Sequence, residues 1–228
     1  MNVHKNKKIT DGTTIIFLRA PEKGTVKTRL AVSIDPEQVL ELYKGFIHDT
    51  ISAADPVSRL ALYCWPPEKT QLITDWLKNK FKVFSQSGDN IGSKMANAFQ
   101  ELFDSDVKKA ILIGTDIPDI SQTIITLAFN ELDRNDIVLA PAQDGGYYLI
   151  GFNNNTYYPA VFEGINWSTP MVLQETLAII NKKKYRYYLL PELNDIDTLA
   201  DLKNLVKRYR SEHKTGNNTA DNLIKYKL

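Results

Sequence analysis

Histidine and cysteine are nearly missing from this chain: its 228 residues hold three histidines, His4, His48 and His213, and one cysteine, Cys64. A Ser-His-Asp triad or a His/Cys zinc cluster therefore has almost no material. One thiol forms no internal disulfide, and Cys64, inside the apolar run Leu60 to Trp65, reads as a small core residue. The expected compartment is cytoplasmic. A basic excess is also lacking, with 28 Lys and Arg against 27 Asp and Glu, which argues against nucleic acid as a partner. No apolar run approaches the length of a membrane span. The basic start Met1 to Lys8 is followed only by the short run Thr13 to Leu18, so it does not read as a signal peptide. His48 reads as a helix surface residue. Carboxylates are what remain, and acids with few imidazoles or thiolates suit a hard, oxygen-seeking ion such as Mg²⁺ or Mn²⁺.

Those carboxylates recur in one context. Ala110 to Asp119 (A-I-L-I-G-T-D-I-P-D) is an apolar run bounded by Lys108 and Lys109 on one side and Gly114 on the other. It has the pattern of a strand buried on both faces, with Asp116 just past its carboxyl end. Ile137 to Phe152 repeats the pattern: an apolar run, then Asp144-Gly145-Gly146, then a second apolar run. Tyr185 to Leu190 is followed by Asp195 and Asp197. In open α/β sheets, ligands bind in the crevice outside the carboxyl ends of the strands. Each acid also has a plain structural reading: Asp116 as a turn or cap residue, Asp144 as the first residue of an Asp-Gly hairpin turn, Asp195 or Asp197 as a helix N-cap.

Apolar runs alternate with amphipathic segments along the chain. Strands are expected at Thr13 to Leu18, Arg59 to Tyr63, Lys82 to Phe84, Ala110 to Ile113, Ile137 to Ala140, Tyr147 to Phe152 and Tyr185 to Leu190. Asp35-Pro36-Glu37-Gln38 has the shape of a capping box with Pro at the first helical position, opening a helix whose apolar face is Val39, Leu42, Tyr43, Phe46 and Ile47. Further helices are expected over Pro67 to Lys80, Ile91 to Phe103, Ser121 to Leu132, from Thr169-Pro170 to Lys182, and from Thr198 to Arg208. This alternation predicts a single-domain α/β fold, a mostly parallel, doubly wound sheet flanked by helices, over residues 1–210. Residues 211–228 are polar and read as a mobile C-terminal extension.

The loop after the first strand carries Arg19, Lys23, Lys27 and Arg29 around Gly24. Cations at the carboxyl end of a strand suit phosphate neutralisation, and Arg grips two oxygens at once. The loop is not a P-loop, because Val26 stands where the glycine before the lysine belongs. Read alone it is a solvated basic loop; its place opposite the acids turns the balance toward phosphate binding.

Five segments in order, F-L-R-A-P-E-K-G-T-V-K-T-R-L-A, G-T-D-I-P-D-I, A-P-A-Q-D-G-G-Y-Y-L-I-G-F, I-N-W-S-T-P and N-D-I-D-T-L-A-D-L, resemble the glycosyltransferase-A-like proteins related to phospholactate guanylyltransferase and the molybdenum-cofactor guanylyltransferases. Gln86-Ser87-Gly88 with Gly92, Met95 and Phe99 resembles the segment leading into that family's central helix. The resemblance runs from about Ile15 to Leu205. It implies a GT-A (nucleotide-diphospho-sugar transferase) fold, a divalent metal, and a nucleoside triphosphate or nucleotide sugar as donor. By the same resemblance Asp116 matches the metal-binding position, Asp195 or Asp197 the second carboxylate, and Lys27 the phosphate-binding lysine. Thr198-Leu199 departs from the family's usual Thr-Pro.

The expected activity is a metal-dependent transferase, glycosyltransferase-like, with nucleotidylyl transfer or turnover-free nucleotide binding as alternatives. Asp116 with Asp195 or Asp197 would hold the metal, and Arg19, Lys23, Lys27 and Arg29 would neutralise phosphates. Asp144 would serve the small-molecule acceptor as hydrogen-bond partner or base. Gly145, Gly146, Trp167 and Ser168 would line its pocket, although Trp167 also suits the core. Two electrostatic expectations accompany this: Lys27 is exposed, and Asp116 is crowded by Asp144, Asp195 and Asp197 without compensation.

Overall fold

A computed structural model describes residues 9–227. The basic start of the chain, and His4 with it, lies outside the described residues. Seven strands form one sheet: β1 (Ile9–Arg19), β2 (Ser58–Trp65), β3 (Val83–Ser85), β4 (Lys109–Ile113), β5 (Ile137–Pro141), β6 (Tyr147–Asn153) and β7 (Tyr187–Leu189). Eight α-helices accompany them among the described residues: α1 (Thr28–Ala31), α2 (Pro36–Ala54), α3 (Thr70–Trp76), α4 (Ile91–Asp104), α5 (Gln122–Glu131), α6 (Val172–Lys182), α7 (Leu199–Ser211) and α8 (Asn218–Lys225). None is long and apolar enough to cross a membrane.

The sheet order is β3-β2-β1-β4-β6-β5-β7, and only β6 runs antiparallel to its neighbours. The exception follows from the short Asp144-Gly145-Gly146 connection, which is too short for a crossover and so turns the chain back as a hairpin. Because β6 is reversed, its start joins the carboxyl ends of β1, β4 and β5 along one edge. Alternation along the strands splits the core between the two faces of the sheet. Ile16, Leu18, Leu62, Ile111 and Ile113 face α2 and α5, while Ile15, Phe17, Tyr63, Ala110 and Leu112 face α4. There Phe99 meets Phe152 edge to face, ring centroids 4.9 Å apart.

Helix ends follow local chemistry. Asp35 caps α2 by accepting from the Glu37 and Gln38 amides, with Pro36 at the first position, a cap contributing about 1 kcal/mol. Asn90 with Ser93, and Thr198 with Asp201, form reciprocal capping boxes on α4 and α7. The helix expected over Pro67 to Lys80 is shorter. A 3-10 turn at Pro67–Lys69 precedes α3, and Lys78 and Asn79 adopt left-handed backbone that ends it.

The tail corrects the expectation of a mobile extension. Residues 218–225 form α8, docked on α2. Asp49 of α2 accepts from the Asn218 amide at 2.8 Å, the Asn218 side chain at 2.9 Å and the Thr219 amide at 2.8 Å. A carboxylate at a helix N-terminus satisfies donors that have no partner inside the helix. Gly45 permits the close crossing: a Cβ there would lie 2.9 Å from the Asn222 side chain.

Candidate active site

The carboxyl edge of the sheet gathers the acids. β4 ends at Ile113, and Gly114 and Thr115 lead the chain to Asp116. The segment after β7 runs alongside: Leu193 donates its amide to the Pro141 carbonyl at 3.3 Å, and Ile196 donates to the Asp116 carbonyl at 3.0 Å. These bonds hold residues 195–197 next to Asp116 and leave Asp195 and Asp197 flanking the buried Ile196.

Lys27 binds the two arms together. Its ammonium donates to Oδ1 of Asp116 at 2.7 Å and to Oδ1 of Asp197 at 2.7 Å. The Lys27 side chain is 5 % exposed, while those of Asp116 and Asp197 are 54 % and 40 % exposed. Burial pulls the lysine pKa down, but the two carboxylates more than offset this and hold it above the ordinary value. Both charge expectations are thereby corrected: Lys27 is not a solvated cation, and Asp116 is compensated by it. The reason is backbone. Lys27 sits in left-handed conformation (φ 47°) at the N-cap of α1, which turns its side chain inward.

Asp195 is the crowded acid instead. Burial, then the charges of Asp197 and Asp144, raise its pKa above the ordinary carboxylate value. Asp144 opens the β5–β6 hairpin, its Oδ1 accepting from the Gly146 amide at 2.8 Å, so the turn role is filled. Gly145 has φ 87°, and a Cβ there would meet the Pro170 carbonyl oxygen at 2.2 Å. The Gly145 carbonyl accepts from the Leu173 amide at 3.0 Å, seating the hairpin on the start of α6.

Two residues outside the sequence expectations brace the site. The Tyr43 hydroxyl, brought up from α2, accepts from the Arg19 amide at 3.0 Å and shares a hydrogen bond with Thr115 at 3.1 Å. This ties the end of β1 to the residue before Asp116. From sequence Tyr43 reads only as part of an apolar face; the one available signal is its hydroxyl, the single polar group in that otherwise apolar stripe.

The other expected residues divide. Lys23 pairs with Glu37 at 3.3 Å, away from the acids, with both side chains more than half exposed. Arg29 is exposed on α1. Trp167 packs against α4, where a Cβ on Gly92 would meet its ring at 2.6 Å, and Ser168 is exposed in left-handed backbone (φ 64°).

Among the described residues, no three His, Cys, Asp or Glu side chains group closely enough to make a metal site alone. The donor set still fits a divalent ion. Mg²⁺ is commonly bound through one or two carboxylates, with phosphate oxygens and water completing its shell. Asp116 and Asp197 converge on one ammonium and would supply that pair.

The architecture is that of the nucleotide-diphospho-sugar transferases, an α/β sheet with its acids on the carboxyl edge. Over residues 50–169 the chain matches, and belongs to, the family "Uncharacterized protein conserved in bacteria (DUF2064)". A crystal structure from Desulfovibrio desulfuricans G20, described as a candidate nucleotide-diphospho-sugar transferase, is 30 % identical with a TM-score of 0.91, each chain covered over 95 %. The 4-diphosphocytidyl-2C-methyl-D-erythritol synthase of Anaerococcus prevotii shares the fold at 12 % identity, with a TM-score of 0.58 over 87 % of this chain and 98 % of that one. By sequence, 2-phospho-L-lactate guanylyltransferase of Methanocaldococcus jannaschii is 25 % identical over 184 residues, 78 % of this chain and 76 % of that one. The chain is an enzyme of the nucleotidyl- or glycosyltransferase kind.

Proposed function

We propose that the protein is a metal-dependent nucleotidylyltransferase that moves a nucleotide from a nucleoside triphosphate to a small acidic acceptor. One observation carries this reading: carboxylates from two separate arms, Asp116 and Asp197, converge on the buried Lys27 at the carboxyl edge. Similarity to guanylyltransferases over most of the chain supports nucleotidylyl transfer over the glycosyl transfer ranked first from sequence. Glycosyl transfer from a nucleotide sugar is the second reading, supported by the D. desulfuricans neighbour.

In the proposed reaction an acceptor oxygen attacks the α-phosphorus, the bond to the bridging oxygen breaks, and pyrophosphate leaves. A divalent ion held by Asp116 and Asp197 would supply neutralisation of phosphate charge. Lys27, released from its ion pairs as that charge arrives, donates to phosphate oxygens. Arg19 adds a second cation at the end of β1, and Tyr43 with Thr115 fixes the spacing between Arg19 and Asp116. Asp195, with its raised pKa, and Asp144 stand on the acceptor side. Either takes a proton when the acceptor oxygen carries one.

The test is product analysis. Purified protein with Mg²⁺ is supplied with each of the four nucleoside triphosphates, or with GDP- and UDP-sugars, together with phosphorylated hydroxyacids including 2-phospho-L-lactate. Pyrophosphate release is the expected result; nucleoside diphosphate release would favour glycosyl transfer. Absence of Mg²⁺-dependent nucleotide binding by calorimetry sinks both.

A further inference from the structure

A second group of charges lies on the same edge, on the α4 face of the sheet. Arg19 and Trp65 are register partners at the ends of β1 and β2. By strand alternation they continue the rows Ile15, Phe17 and Ala61, Tyr63, so both belong to the face that α4 covers. α4 starts at Ile91, and Lys94 in its first turns places its ammonium 3.2 Å from the centroid of the Trp65 ring. Among the described residues neither Arg19 nor Lys94 forms a salt bridge, in contrast to Lys27 with its two carboxylates. Lys94 is partly withdrawn from water, and that withdrawal, followed by the charge of Arg19, lowers its pKa.

The floor beneath these cations is fixed. The buried Gln86 side-chain amide donates to the Leu18 carbonyl at 3.3 Å and to the Tyr63 carbonyl at 3.0 Å, bracing β1 and β2 just before Arg19 and Trp65. The Gln86 amide donates to the Cys64 carbonyl at 3.0 Å, and Asn97 of α4 holds the Ser87 carbonyl at 2.9 Å. Two neighbouring cations without a carboxylate repel each other, and holding both on a braced platform costs free energy that a bound anion would recover. An ammonium resting on an aromatic face keeps part of its stabilisation while its remaining protons stay free to donate.

We propose that Lys94 and Arg19, carried by Trp65 and the Gln86 brace, form an anion subsite separate from the Lys27, Asp116 and Asp197 cluster, taking a phosphate or carboxylate group of a substrate. The subsite needs no metal. The transferase reading enters only in naming the anion's source, which is the donor's phosphate tail or the acidic acceptor.

The test is calorimetric titration with pyrophosphate in excess EDTA, with Trp65 fluorescence as a second readout. Wild type is expected to bind at millimolar concentration or below. Lys94→Gln and Arg19→Gln should each weaken binding about tenfold, the loss of one charge-assisted contact, and Lys94→Arg should restore most of it. Binding should shift the tryptophan emission in wild type and not in Trp65→Phe. A second titration uses 2-phosphoglycolate on protein saturated with GTP and Mg²⁺. Lys94-dependent binding there assigns the subsite to the acceptor, and displacement by GTP assigns it to the donor. Loss of Mg²⁺-dependent GTP binding with metal-free pyrophosphate binding intact would sink the transferase reading and leave the subsite standing. No pyrophosphate binding by folded wild type, or wild-type affinity retained by both glutamine variants with unchanged melting temperature, overturns the subsite.

Discussion

The Lys27 ammonium lies 2.7 Å from Oδ1 of Asp116, a residue 89 positions further along the chain, in the place a cation between Asp116 and Asp197 would take. If the proposed metal site is right, the lysine and a divalent ion would compete for the same two carboxylates in the free protein. Lys27→Met should raise Mn²⁺ affinity in the absence of nucleotide while weakening nucleotide binding in its presence. Calorimetry on both ligands checks this, and equal Mn²⁺ affinity in the two proteins would count against the competition.

The same pair predicts a pH dependence. Removing one member of a buried ion pair costs up to several kcal/mol, but the half-exposed carboxylates reduce this to about 1–2 kcal/mol. The Lys27 pKa is raised on folding, so its stabilisation is fully present below the ordinary lysine value of 10.5 and is lost as pH rises through the higher folded value. The melting-temperature gap between wild type and Lys27→Met should be constant from neutral pH to about 9 and close at more alkaline pH. A gap that widens with alkali would contradict the assignment.

Asp195 has the opposite sign. Its carboxyl is raised above the ordinary value, so ionising it at neutral pH costs the folded state stability. Asp195→Asn should melt higher than wild type at pH 7 in EDTA. As pH falls through the raised folded pKa toward and below the ordinary carboxylate value, both proteins carry a neutral group and the advantage should vanish. A lower melting temperature for Asp195→Asn at pH 7 would show that the repulsion is not what governs its contribution to stability.

Docking of the tail depends on Asp49, which accepts three hydrogen bonds from the first residues of α8. Asp49→Ala should cost about 2 kcal/mol, the range for hydrogen bonds to a charged group, and lower the melting temperature by about 4–8 °C. Limited proteolysis should then cut between α7 and α8. Unchanged melting and unchanged cleavage would show that α8 is held by its apolar contacts alone.

How far the sequence carried depends on the range of the interaction. Asp116 at a strand end was legible because the apolar run before it has the length and flanks of a buried strand. The tail was not, because α8 is polar all round except at residues such as Ala220 and Leu223, and its anchor, Asp49, lies 169 positions from Asn218. Lys27 reads from sequence as a candidate phosphate ligand on an exposed loop; its burial against Asp116 and Asp197 is not legible there, since its left-handed backbone leaves no mark in composition. Lys94 carries no signal in the sequence, because its meeting with Trp65 needs β2 and α4 to be packed together.

Asp116→Asn brings the two roles of that acid into opposition. If it were only a turn residue, the substitution would leave nucleotide binding unchanged. The fold instead gives it a buried ammonium as partner, so Asp116→Asn should lower stability by weakening the Lys27 pair, partly rescued because Asp197 remains on the same ammonium. The larger effect should be on function. With one carboxylate gone, Asp197 alone would hold the divalent ion, and Mg²⁺-dependent nucleotide affinity should fall by at least tenfold, the equivalent of about 1.4 kcal/mol. Binding of pyrophosphate in EDTA should be unaffected, since that anion goes to Arg19 and Lys94. Measuring both affinities on one variant separates metal-held phosphate from cation-held phosphate, and normal Mg²⁺-dependent nucleotide binding by Asp116→Asn would refute the carboxylate pair.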